Sequence, residues 1–223
     1  TDADLRRSIA AYNRVRALVR ALNEVRAQSP HLISALECYL LARLGATLPP
    51  EESAPILQGA LEAALRREAR PRDSIRVIVQ GSFCELPPVE LISAMEEAGC
   101  YILDDDLLLG WRCYSADVPT EGEPLRVLAR AYLYAVRFSS VKHGLVGPRA
   151  SELVATVKRL RADAVVYLAA KFCEPALLDY ALFRQALERA NVPHIFLEFE
   201  EKMWLVDKPR NAIETFVESQ LFW

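Results

Sequence analysis

Cysteine and histidine are scarce in this chain, and their arrangement argues against several kinds of site. The 223 residues include five cysteines and three histidines. The cysteine count is odd and includes no Cys-x-x-Cys pair, so we expect a reducing, cytoplasmic compartment and no disulfide framework. The spacing of the histidines, His31, His143 and His194, indicates neither a zinc site nor a catalytic triad.

Long apolar runs, glycine-rich phosphate motifs and an excess of basic charge are also absent from the sequence. No run approaches the roughly 20 apolar residues that a membrane span requires. Neither Gly-x-Gly-x-x-Gly nor Gly-x-x-x-x-Gly-Lys-Ser/Thr occurs, which argues against a dinucleotide site and against nucleotide hydrolysis. A net charge of −3 does not indicate a basic surface for binding nucleic acid. We therefore expect neither a membrane nor a nucleic acid as a partner.

The opening of the chain carries no targeting segment in this interpretation. Thr1 to Asp4 lead directly into an arginine-rich helix, and the sequence has no initiator Met. This is the pattern of a fragment, a processed chain or an expressed piece of a longer protein.

The apolar pattern divides the chain into a helical section, residues 1–72, and an alternating section, residues 73–223. Helical periodicity in the first section predicts helices over 2–27, 31–44 and 50–70, the second of them closed by Gly45. The second section predicts strands over 75–81, 100–105, 164–170 and 194–199, and helices over 88–98, 123–138, 148–161, 176–190 and 209–221.

Helices between successive strands imply crossover connections and therefore a parallel sheet. The predicted fold is α/β: a helical amino-terminal section followed by a four-stranded parallel flavodoxin-like sheet with helices on both faces. The strand order expected for such a sheet is 2-1-3-4.

Two of the predicted strands end in the same Phe-Cys-Glu triplet. Cys173 follows the apolar run 164–170, and Cys84 follows the run 75–81. Ligands of open parallel sheets collect at the carboxyl ends of the strands. Since the order 2-1-3-4 makes the first and third strands neighbours, we expect Cys84 and Cys173 to lie side by side at this edge.

The residue types leave the role of Cys173 open between three interpretations. It is a buried structural thiol, a thiolate ligand of a soft metal centre, or a nucleophile that lacks a histidine partner. The interpretation of Cys84 is open between a packing role and a functional role. Cys100 opens a strand at the opposite end of the sheet and is predicted to be core, while Cys38 and Cys113 show no pattern that indicates chemistry.

The second predicted strand ends in the acidic stretch Asp104 to Asp106. Its carboxylates are suited to Mg²⁺, but a solvated strand end whose acids cap the next element is the favoured interpretation.

Several segments of the chain resemble the 2-hydroxyacyl-CoA dehydratase and benzoyl-CoA reductase family. The segments that carry the likeness are Gly81 to Pro88, Glu97 to Asp106, Lys171 to Tyr180, Val192 to Lys202 and Glu214 to Ser219. The likeness covers essentially this whole chain and the carboxyl-terminal half of a family subunit. Phe-Cys-Glu at Cys84 and the acidic stretch favour the reductase branch.

The resemblance implies a cytoplasmic enzyme of paired homologous subunits, each with a [4Fe-4S] cluster held by three cysteines. A separate ATP-hydrolysing iron–sulfur activator component delivers low-potential electrons. The reductase branch, a ferredoxin-linked oxidoreductase of anaerobic aromatic degradation, converts an aromatic acyl-CoA to a cyclic dienoyl-CoA. The dehydratase branch uses one electron to form a ketyl radical that expels a hydroxyl group.

The resemblance also assigns residues. It implies that Cys173 is a metal ligand, with Phe172 and Phe83 shielding the cluster. Cys84 is an additional strand-end thiol whose role the family pattern leaves open, and it is taken as a second candidate for cofactor binding. Ser82 and Glu174 are expected to border the acyl-CoA substrate.

The sequence departs from the family pattern in two places. The other two cluster cysteines of the family lie in an amino-terminal half to which no residues here correspond. The usual Gly-Gln and Thr-Arg pattern before the last helix is replaced by residues 203–211, in which Arg210 is retained. Three hypotheses follow: a benzoyl-CoA reductase subunit, a 2-hydroxyacyl-CoA dehydratase component, or a cluster-less interaction subunit of the same fold.

Overall fold

The computed structural model describes residues 1–81, 86–107, 111–134, 147–200, 203 and 206–221. These residues form eight α-helices, four strands and a short 3-10 helix at Trp111–Cys113. The helices are α1 (Asp2–Gln28), α2 (Ala35–Thr47), α3 (Pro50–Leu65), α4 (Val89–Glu97), α5 (Pro124–Tyr134), α6 (Gly147–Leu160), α7 (Glu174–Arg189) and α8 (Asp207–Leu221). The strands are β1 (Ile75–Gln80), β2 (Cys100–Asp105), β3 (Ala164–Ala170) and β4 (His194–Phe199). In this part of the chain, no helix has both the length and the apolar character needed to cross a bilayer.

The four strands form one parallel sheet in the order β2-β1-β3-β4. This confirms the predicted strands, their direction and their order. Every residue of β3 is buried, as expected for a central strand that is covered on both faces. Its continuous apolar run, which has no polar alternation, is the sequence consequence of that position.

Helices cover both faces of the sheet, as predicted. Val77 and Val79 of β1 pack with α2, α4 and α8, while Ile78 between them packs with α6 and α7. The alternation arises because successive side chains of a strand point to opposite faces. Because all four strands are parallel, their carboxyl ends lie at a single edge of the sheet.

Gly45 does not close α2, contrary to the prediction; the helix continues to Thr47. A side chain at Gly45 would place its Cβ 3.1 Å from Val15 Cγ1 and 3.3 Å from the Tyr114 hydroxyl oxygen. The glycine therefore permits close approach of α2 to α1. Sequence periodicity does not distinguish this use of glycine from a helix stop.

Other helix ends also differ from the prediction, among them those of α2, α3 and α7. Helix α2 starts at Ala35, where Ser34 and Glu37 form a capping box. Helix α3 ends at Leu65 instead of residue 70. Helix α7 begins at Glu174, two residues earlier than expected, with a proline in its first turn.

Helix α2 is shared between the helical section and the sheet. Its side chains Ala35 and Tyr39 belong to the same hydrophobic cluster as the sheet. The Glu96 carboxylate of α4 accepts hydrogen bonds from the backbone N–H groups of Ala35 and Leu36, at 2.7 and 3.3 Å. The division into domains at residues 72 and 73 remains a prediction.

A buried ion pair also joins the helical section to the sheet. Arg26 Nη1 of α1 lies 2.7 Å from Asp105 Oδ2 at the end of β2, and the two side chains are only 2% and 5% exposed. Neither charge is accessible to bulk water, so each depends on its protein partners for solvation.

Replacing Arg26 by Met should lower the free energy of unfolding by about 3–5 kcal/mol, because the Asp105 carboxylate stays buried without this guanidinium. Urea titration followed by circular dichroism measures the loss. Arg14→Met, at an exposed position of the same helix, is the matched control and should change stability by less than about 0.5 kcal/mol. Equal losses in the two variants would contradict the importance of the buried pair.

The Tyr114 hydroxyl donates a hydrogen bond to the Ala42 carbonyl at 2.8 Å. We expect this group to make the stability of the folded chain sensitive to alkaline pH. Burial raises the pKa of Tyr114 to about 12. The folded chain therefore holds this proton more tightly than the unfolded chain, and the stabilisation, complete below about pH 10, is lost as the pH rises toward 12.

Between pH 9 and 11, wild-type protein should lose roughly 1 kcal/mol of unfolding free energy more than Tyr114→Phe, measured by urea titration at each pH. Tyr12→Phe, at a surface position, should retain the wild-type decline. A decline of the same size in Tyr114→Phe would show that another group is responsible.

Candidate functional site

Cys173 is the N-cap residue of α7, immediately beyond the central strand β3. Its backbone N–H donates to the Ala170 carbonyl at 3.1 Å, and its own carbonyl accepts from Leu177 N–H at 3.1 Å. The side chain makes no capping hydrogen bond, and the residue is half-buried. The backbone of Cys173 is thus fixed while its sulfur is not used to hold the helix.

The turn that leads to Cys173 is tight. Phe172 has a φ of 64°, in the left-handed region that is unfavourable for a large side chain, and it is 83% exposed. The Lys171 amine lies 5.3 Å from the centre of its ring. The shielding role expected for Phe172 remains a prediction.

The position at a helix N-terminus has an electrostatic consequence. The aligned peptide dipoles of a helix place partial positive charge at its first turn, which favours a bound anion there. Glu174, expected to border the substrate, is exposed in this same turn. It directly follows Cys173 in the chain, and its role at the substrate remains a prediction.

The end of β1 lies next to β3, since Gln80 pairs with Tyr167. Gly81 follows with a φ of 109°, and a Cβ there would lie 2.8 Å from the Tyr167 ring. The neighbouring strands of the predicted cysteine pair are therefore confirmed. Ser82 and Cys84, like Phe83, lie outside the described residues, so their sites remain predictions.

The acidic stretch at the end of β2 is buried, which makes the prediction of a solvated strand end wrong. Asp104, Asp105 and Asp106 are 7%, 4% and 3% exposed. Asp106 Oδ2 lies 2.5 Å from Arg112 Nη2 and accepts from Gln80 Nε2 at 2.6 Å. Arg26, which pairs with Asp105, comes from a distant part of the chain, whereas Arg112, which pairs with Asp106, is close to it in sequence; the sequence analysis identified neither pairing.

A third buried ion pair, between Arg149 Nη1 of α6 and Asp179 Oδ2 of α7 at 2.6 Å, was also missed. A sequence signal for it exists. Asp179 stands on the helical stripe that continues through Ala176, Phe183 and Leu187, all of them buried. An acid on an apolar stripe requires a buried partner.

Two hollows open near this edge of the sheet. The smaller, about 30 Å³, lies between Asp104, Asp106 and Arg149 and is large enough for water. The larger is a cleft of about 550 Å³ beyond the end of β4, which is within the size range of small-molecule sites. Its lining includes Phe196, Phe199 and Pro209, and Lys171 and Lys208 also border it.

The other described cysteines do not join Cys173. Cys100 is buried in the core, as predicted, and burial raises its pKa to about 12. Cys38 is buried between helices, where desolvation also raises its pKa to about 12. Within the described ranges, no group of three or more His, Cys, Asp or Glu side chains is arranged to hold a metal ion. The metal-ligand role expected for Cys173 remains a prediction.

Comparison with known proteins places these features in a family. The sequence profile of the family described as 2-hydroxyglutaryl-CoA dehydratase, D-component, matches residues 1–219. A benzoyl-CoA reductase subunit of Thauera aromatica is 35% identical over all of this chain and 58% of its own length.

Two dehydratase subunits are more distant relatives. Lactoyl-CoA dehydratase subunit beta of Anaerotignum propionicum is 27% identical over 98% of this chain and 58% of its own length. The (R)-2-hydroxyglutaryl-CoA dehydratase subunit beta of Acidaminococcus fermentans is 23% identical over 95% of this chain and 56% of its own length.

The chain thus spans little more than half the length of these relatives. The profile match is nearly complete, and it agrees with the resemblance carried by the two Phe-Cys-Glu segments. The chain belongs to the 2-hydroxyglutaryl-CoA dehydratase, D-component family.

Proposed function

We propose that this chain is an iron–sulfur subunit, or part of one, of an ATP-dependent benzoyl-CoA reductase, which reduces an aromatic acyl-CoA to a cyclic dienoyl-CoA. The observation that carries the proposal is Cys173, a thiol at the N-terminus of α7 that makes no capping hydrogen bond. The 35% identity to the Thauera aromatica benzoyl-CoA reductase subunit favours this branch of the family.

The donor chemistry at Cys173 fits a [4Fe-4S] cluster. Such clusters are held by cysteine thiolates, and the sulfur of Cys173 is half-buried and adjoins the core. Cys173 would hold one iron atom, and Cys84 is proposed as a second cofactor-binding thiol. The remaining ligands would come from polypeptide outside the described residues. When bound, the cluster supplies electrons at low potential.

The proposed role of the surrounding residues is to support charge and to border the substrate. The first turn of α7 would stabilise negative charge on the thiolate and cluster through its peptide dipoles. Lys171 and Glu200 form an ion pair at 2.7 Å beside this turn. Glu174 and Ser82 are proposed to border the acyl-CoA, and the cleft beyond β4 offers an apolar surface for part of it.

The proposed partners follow from the same assignment. The relatives are named as subunits, which supports assembly with a homologous second subunit. Electrons would be delivered by an ATP-hydrolysing iron–sulfur activator component. We propose a cytoplasmic location for this assembly, because the thiols and the cluster require reducing conditions.

Replacing Cys173 by Ser should remove iron from the anaerobically purified complex that contains this chain, because a hydroxyl is a poor substitute for a thiolate ligand. Iron and acid-labile sulfide are measured together with the EPR spectrum. Cys113→Ser, at an exposed cysteine in the short 3-10 helix, is the matched control and should retain the wild-type iron content.

Unchanged iron in Cys173→Ser would reject Cys173 as a ligand. Absence of iron from the wild-type complex, when mass spectrometry shows that its subunits are complete, would favour the cluster-less interaction subunit.

A 2-hydroxyacyl-CoA dehydratase component is the second candidate, favoured by the family description and by the similarity to the two dehydratase subunits. Electron consumption distinguishes the two activities. Ring reduction should consume two electrons for each product formed, whereas dehydration returns its electron and should need only a catalytic amount. Titrating the complex with a limiting reductant and counting product gives this ratio directly, and product far in excess of electrons would reject the reductase.

A further inference from the structure

Tyr167 is the only hydroxyl-bearing side chain in β3, whose other residues are Ala, Val and Leu. It is fully buried, and its hydroxyl donates a hydrogen bond to the Ala176 carbonyl of α7 at 2.9 Å. Phe would fill the same space in the core, and the tyrosine differs from it by this hydrogen bond alone. The bond therefore needs an explanation beyond packing.

The hydrogen bond closes a loop around Cys173. Tyr167 and Ala176 are nine positions apart, and the chain between them leaves β3, turns at Phe172 and enters α7 through Cys173. The first turn of a helix has few backbone bonds of its own and opens readily. Here, the Tyr167 side chain of the central strand holds the first turn of α7 by a hydrogen bond.

The ring of Tyr167 is itself held in place from several sides. Its centroid lies 4.8 Å from that of Tyr180, 5.6 Å from that of Phe183 and 6.1 Å from that of Phe196. The backbone of Gly81 passes over it so closely that a Cβ there would lie 2.8 Å from the ring. Because the ring has no room to move, its hydroxyl is a fixed reference point for α7.

We propose that Tyr167 is a positioning residue that fixes the first turn of α7, and with it Cys173, relative to the end of β1. The role in cluster binding rests on the function proposed above, whereas the mechanical role does not. Tyr167 touches neither substrate nor cluster in this proposal; it acts through the Ala176 carbonyl.

The test compares Tyr167→Phe with Tyr180→Phe in the metal-free chain. Both variants remove one hydroxyl from the same aromatic group, but the Tyr180 hydroxyl has no hydrogen-bond partner among the described residues. Amide hydrogen exchange over residues 174–182 should be about fivefold faster in Tyr167→Phe and unchanged in Tyr180→Phe. Circular dichroism confirms that both variants are folded.

Equal exchange in wild-type protein and Tyr167→Phe would overturn the proposal, as would equal acceleration in both variants. A second readout uses the iron-loaded complex. Tyr167→Phe should lose iron to a chelator several-fold faster than Tyr180→Phe, with a changed EPR spectrum.

The two experiments separate the two proposals. Faster exchange in Tyr167→Phe alone, together with a wild-type complex that holds no iron, would support the positioning role and reject the iron–sulfur function. Iron that depends on Cys173, with exchange unaffected by either variant, would support the function and reject the positioning role.

Discussion

The structure depends on the complete burial of β3. A strand in the middle of a parallel sheet must satisfy its backbone through both neighbours and cover both faces with helices. Each helix on a face connects strands that run in the same direction, so every strand ends at the same edge. This constraint, and no local preference of the cysteine, places Cys173 where ligands of such sheets collect. The same constraint explains why β3, the strand before Cys173, consists of apolar residues with one tyrosine.

Charge is concentrated and buried at this edge. Arg26 reaches Asp105 from α1, Arg112 reaches Asp106 from the short 3-10 helix, and Arg149 joins α6 to α7. Buried ion pairs of this kind give little net stability over apolar packing, but each partner is costly to leave alone. Separating these segments would leave a buried charge without its ion-pair partner, which costs free energy. The pairs therefore link the segments around the site, whatever their contribution to the total free energy.

Much of the sheet was predictable because its information is local. The apolar runs predicted both ends of β2, β3 and β4 correctly. The alternation of strands with helices predicted the order of the strands. The features that were missed depend on distant partners. Asp105 pairs with Arg26 of α1, far away in the sequence, and the close approach at Gly45 also involves α1. The position of Cys173 at a strand end was predictable, whereas its place as a helix cap depended on where α7 begins.

The two hydrogen bonds that the Glu96 carboxylate accepts from the backbone at the start of α2 couple the folding of the helical section to that of the sheet. The first turn of α2 gains these acceptors only once α4 has docked, and α4 docks only on a formed sheet. An isolated helical section would have to solvate those N–H groups with water and expose the apolar face that includes Tyr39. The two sections should accordingly melt in a single cooperative transition, as one thermodynamic unit, although the sequence pattern divides them.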